Sequence, residues 1–66
     1  MEKYEELIAI LGDDVILAGV NENGEDVILE KVFGSEAVQV TTIQKNGRLR
    51  KNVYHIDGTT EELYER

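Results

Sequence analysis

Apolar positions along the chain change period once. Tyr4, Leu7, Ile8 and Leu11 stand at i, i+3, i+4 and i+7, the spacing that lines one face of a helix. Glu2, Glu5 and Glu6 put acid near its amino end, where the helix dipole favours negative charge, and Gly12 is placed to cap its carboxyl end. A helix this short is marginal alone in water, so it must lie on something.

Beyond Gly12 the pattern shortens to that of strands. Segments 15–20, 26–33, 36–44 and 48–56 are rich in Val, Ile and Thr. Gly12, Gly24, Gly34, Gly47 and Gly58 separate the apolar segments at intervals of 10 to 13 residues, the rhythm of short antiparallel strands joined by tight turns. Asn23-Gly24, Asn46-Gly47 and Asp57-Gly58 are strong hairpin dipeptides. Gly19, inside the first strand segment, suggests a bulge or a place where the helix packs close. The runs Val27-Ile28-Leu29 and Val32-Phe33 break strict alternation, which calls for a bulge or for cover on both sides of the sheet.

Segment 59–65 has two readings. Asp57-Gly58 argues for a hairpin into a fifth strand, with Thr59 opposite Ile56 and Glu65 opposite Arg50. Thr59 followed three residues later by Glu62 is also a capping box before good helix formers. The strand is preferred, because so short a helix would not nucleate without docking. The predicted fold is α+β, one domain over residues 1–66, with an amino-terminal helix packed on a four- to five-stranded antiparallel β-meander. Its edge strands and small core invite pairing with a second copy or with a partner's strand.

Composition narrows the class. Leu, Ile, Val and Phe make up 20 of 66 residues, above the share at which charged chains fail to collapse. There is no Cys, which removes disulfide staples, thiolate zinc sites and cysteine nucleophiles. The longest apolar run without Gly, Val15-Ile16-Leu17-Ala18, is far too short to span a membrane. The acidic amino terminus is unlike a signal peptide. These features predict a cytoplasmic protein with no membrane association.

Fourteen acidic against seven basic residues give a net charge of −7, unevenly spread. Residues 1–44 hold 10 acids and 2 bases, 45–54 hold 4 bases and no acid, and 55–66 hold 4 acids and 1 base. In the basic window, strand alternation puts Arg48, Arg50, Asn52 and Tyr54 on one face with Lys45 and Lys51 close by. Cations beside an aromatic ring are the parts of a single-strand nucleic-acid surface. Net repulsion of polyanions and the acids of segment 59–65 weigh against that use, and cross-strand ion pairing accounts for the same bases. The 10 acids of residues 1–44 offer the converse, imitation of a phosphate backbone, provided that they align on one face.

Other chemistry is thinner. With Gly24 as the sixth position of a calcium loop, Asn21, Asn23 and Glu30 fall at ligand positions, but Gly19 stands where the first Asp belongs and the flanks are strands. Ser35, His55 and Asp57 are the residue types of a hydrolytic triad without supportive spacing. Adjacent acid pairs such as Asp13-Asp14 and Glu61-Glu62 point to opposite faces of a strand and cannot share one ion. No catalytic residue, cofactor or metal is expected. The predicted function is that of a small non-enzymatic interaction protein that binds another protein, or a second copy as a homodimer, through a sheet face or edge. Arg48, Arg50, Lys51 and Tyr54 are the candidate partner-binding residues, and nucleic-acid contact and DNA mimicry are the alternatives.

Overall fold

A computed structural model describes residues 2–65, with side chains through residue 63. The helix α1 (Glu2–Leu11) precedes strands β1 (Ile16–Val20), β2 (Asp26–Val32), β3 (Ala37–Ile43), β4 (Leu49–His55) and β5 (Thr60–Glu65). They form one antiparallel sheet in the order β1-β2-β3-β4-β5, the predicted meander.

The helix follows its apolar spacing. Leu7 and Leu11 are buried, and Tyr4 and Ile8 pack beside them against Leu29 and Val38 of the sheet. Gly12 ends the helix with φ at 61° and donates its amide to the Ile8 carbonyl at 2.9 Å, the one-bond left-handed cap that suits a residue without Cβ. The last turn contains no basic residue. Lys31, from β2, supplies the missing cation by donating its Nζ to the Gly12 carbonyl at 3.2 Å.

Cross-strand partners share a face, so the register sorts the side chains. Leu17, Val27, Leu29, Val38, Val40, Arg50, Asn52, Tyr54 and Glu62 belong to the face that carries α1. Ile16, Ala18, Val20, Ile28, Val32, Ile43, Leu49, Lys51, Val53, His55, Glu61 and Leu63 belong to the other. Register is continuous through β2, so no bulge absorbs the Val27-Ile28-Leu29 run. Nor is there cover on both sides: Val27 and Leu29 face the helix, while Ile28 faces a side on which no described element lies. Gly19 likewise departs from expectation. It pairs regularly with Val27, and a Cβ built on it meets nothing within 4 Å, so it marks neither a bulge nor a close helix contact.

Three hairpins share one turn. Asn21–Glu25, Gln44–Arg48 and His55–Thr59 each close a three-residue loop, in which the glycine before the last residue donates its amide to the first residue's carbonyl. Only the glycines have positive φ, 77° at Gly24, 85° at Gly47 and 92° at Gly58. This is a type I turn followed by a left-handed bulge residue, where a two-residue turn would need positive φ at the Asn or Asp as well. The extra residue corrects the expected register of the fifth strand. Thr60 lies opposite Tyr54, and Glu65 opposite Leu49 instead of Arg50. One residue of slip exchanges the faces of the described β5 side chains, residues 60–63.

Candidate interaction surfaces

Strand β4 divides the basic window. Arg50 and Tyr54 are on the helix-bearing face, Lys51 is on the opposite one, and Lys45 and Arg48 sit in the turn before the strand. The Arg48 amide is held there by the Asn46 Oδ1 at 2.9 Å. Tyr54 is half-buried and packs against the core cluster, and Lys3 of the helix places its Nζ 5.8 Å from the ring centroid. That ring is engaged within the fold by a cation from α1. Arg50, Asn52 and Tyr54 do share a face, as alternation predicts, and it is the face the helix occupies; Arg48, expected with them, stays in the turn before the strand. Glu62 lies diagonally from Arg50, and Glu61 diagonally from Lys51, so acid on β5 borders both bases. The Glu65 side chain lies outside the described residues.

The acids of residues 1–44 do not gather on one surface. Glu2, Glu5 and Glu6 are on the exposed side of α1, Asp26 and Glu30 are on the open face of the sheet, and Asp13, Asp14, Glu22 and Glu36 are in turns at both ends.

The other candidates are engaged locally. Asn21 Oδ1 accepts from the amides of Asn23 and Glu25 at 3.0 and 2.9 Å, and Glu30 is on the opposite face of the sheet from Asn21. No group of His, Asp and Glu suited to hold a metal occurs among the described residues. His55 Nε2 lies 2.8 Å from Glu61 Oε2. Asp57 Oδ1 accepts from both the hydroxyl and the amide of Thr59, at 2.7 and 2.9 Å, and these bonds, the hydroxyl first, hold its carboxyl below the ordinary aspartate value. Ser35 sits exposed in the turn between β2 and β3.

Two surfaces remain. The first is the open face, where Ile28, Ile43, Leu49 and Leu63 stand among Thr41, Lys51, Gln39, Asp26 and Glu61. Ile43 is 36% exposed and Leu63 46%. The second is the free edge of β1, where Ile16 and Val20 are 59% and 68% exposed. Beside that edge, on the helix side, a groove of about 310 Å³ runs between Lys3, Leu7 and Ile10 of α1 and a floor of Leu17, Gly19 and Val27. The apolar runs that broke alternation pointed to a bulge or to cover on both sides, and the structure shows neither at Val27-Ile28-Leu29, so the open face was not anticipated. Which side the helix would take was not signalled. Among the described residues no helix is long and apolar enough to cross a membrane. Comparison with protein-family models, with curated proteins and with solved structures finds no match.

Proposed function

We propose that this protein is a small non-enzymatic interaction module, working in the cytoplasm, that docks the open face of its sheet onto another protein. The observation that supports this reading is the mixed chemistry of that face. Ile28, Ile43, Leu49 and Leu63 flank Thr41 and Lys51, with Asp26, Glu30 and Glu61 on the neighbouring positions of the same face. Apolar area interspersed with polar and charged groups is the composition of a protein–protein contact patch. A face left so by folding gains free energy when a partner removes it from water, at about 25 cal/mol per Å² of apolar surface before the costs of association.

The basic window enters this reading through Lys51, which supplies positive charge in the middle of the patch. Arg48 and Arg50 border the turn and the helix side, and Tyr54 acts by holding α1 in place. The test is capture of partners from native lysate with three baits of matched stability: the native chain, an Ile43→Lys/Leu63→Lys variant and an Arg48→Ser/Arg50→Ser variant. Proteins retained by the native and Arg48→Ser/Arg50→Ser baits are expected to be lost from the Ile43→Lys/Leu63→Lys bait. Retention of the same proteins by the Ile43→Lys/Leu63→Lys bait overturns this reading.

A further inference from the structure

We infer that two copies of this chain pair along the free edge of β1, antiparallel, with Ala18 of one copy opposite Ala18 of the other. This concerns a different surface from the open face and stands whether or not that face has a partner.

The two edges of the sheet are built differently. Strand β5 carries acid at residues 61, 62 and 65, the charged edge by which sheets resist further pairing. Strand β1, Ile-Leu-Ala-Gly-Val, has no charge, no proline and no bulge, in a chain of net charge −7. Of the two described edges it is the one without charge.

Its backbone is oriented for this. The Val15 carbonyl accepts from the Lys31 amide, and the Asn21 amide donates to Glu25, so residues 15, 17, 19 and 21 turn their amides and carbonyls inward to β2. Ile16, Ala18 and Val20 therefore turn theirs outward. Antiparallel pairing centred on Ala18 sets Ile16 opposite Val20 of the second copy, and each outward pair exchanges two backbone hydrogen bonds. A two-fold axis through the Ala18 pair, normal to the sheet, generates this contact from one patch.

The side chains match themselves in the same register. On the open-face side the two exposed large apolar residues of the strand, Ile16 and Val20, become neighbours. On the helix side Leu17 comes opposite Gly19 of the second copy, in a pair without hydrogen bonds, where side chains approach most closely. That is where Gly19 leaves the groove floor empty, with nothing within 4 Å of a Cβ placed there. The missing side chain, unexplained by any contact within one copy, makes room for the incoming leucine. Beyond the strand the same register brings Asp14 of one copy toward Glu22 of the other, so salt should strengthen the pairing by screening this repulsion.

Sedimentation across a wide concentration range tests the proposal. The native chain is expected to dimerise reversibly, and more tightly at high salt. Ala18→Lys, which sets two lysines side by side at the axis, and Ala18→Pro, which removes only an outward-facing amide, should each weaken the dimer at least about tenfold while leaving the monomer's circular dichroism intact. The chain lacks cysteine, so disulfide trapping reports the register. Ala18→Cys should cross-link to itself and Ile16→Cys only to Val20→Cys, since directly opposed residues lie about 5.5 Å apart at Cα, within disulfide reach. A chain that stays monomeric throughout, a dimer that both Ala18 variants leave unchanged, or an Ile16→Cys that cross-links to itself as readily as Ala18→Cys would overturn the proposal.

Discussion

On one face of the sheet Leu29 and Val38 meet Leu7 and Leu11 of the helix and lose almost all contact with water, whereas on the other face Ile43 and Leu63 keep 36% and 46% of their surface exposed. The residue types are the same and the strands are shared. What differs is cover: the described residues include one helix, and a helix lies on one face. Hydrophobicity specified that both faces could be buried; only connectivity decided which one is buried within the chain. Val53 shows the intermediate case. It is buried on the open face without a helix above it, between Gln39 and Glu61 as cross-strand neighbours, so part of that face is shielded by the sheet itself.

The most forceful way to break the contrast is to empty the covered face. Leu11→Ala removes a side chain that is 2% exposed, at an expected cost of about 2–5 kcal/mol. A single core in so short a chain supplies only about 3–5 kcal/mol in all, so this variant should be largely unfolded by circular dichroism. Leu63→Ala, the matching truncation on the open face, should cost under about 1 kcal/mol and leave a cooperative melt. Equal losses from the two substitutions would mean that the faces are not distinct.

A smaller effect sharpens the contrast at β5, whose faces depend on the three-residue turn at Ile56, Asp57 and Gly58. The Thr59 hydroxyl and amide both bond Asp57, and this lowers the Asp57 carboxyl's pKa. A carboxyl with a depressed folded pKa stabilises the fold above its unfolded value, and that contribution disappears as pH falls through the folded one. Thr59→Val removes the larger of the two causes. The Asp57 titration, followed at its carboxyl carbon by NMR, should move back up toward the ordinary aspartate value. The stability difference between native and variant should fade at the acid end, below both values. A titration indifferent to the substitution would remove this bond from the account of the turn.

Much of this architecture was legible in the residues. Tyr4, Leu7, Ile8 and Leu11 specify the helix and its buried side, Gly12 its end, and the spaced glycines the hairpins. The register of β5 was not legible, because Asp57-Gly58 serves a two-residue or a three-residue loop equally well until the φ of Asp57 is known. Alternation did place Arg50, Asn52 and Tyr54 together, but sequence offers no signal for which sheet face the helix takes. Tyr54 therefore looked like a free aromatic platform, yet its half-buried ring packs against the core beneath Lys3. The same ambiguity hid the open face. Ile28 could be recognised as apolar on a second side, and its lack of cover follows from three-dimensional connectivity alone.

The most direct test of a docking role for that face is methyl NMR of the labelled chain before and after addition of a captured partner protein. The account predicts shifts concentrated at Ile28, Ile43, Leu49 and Leu63, with Leu7, Leu11 and Val38 unmoved. Shifts confined to the helix face and to Arg48 and Arg50, with the open-face methyls unchanged, would contradict it.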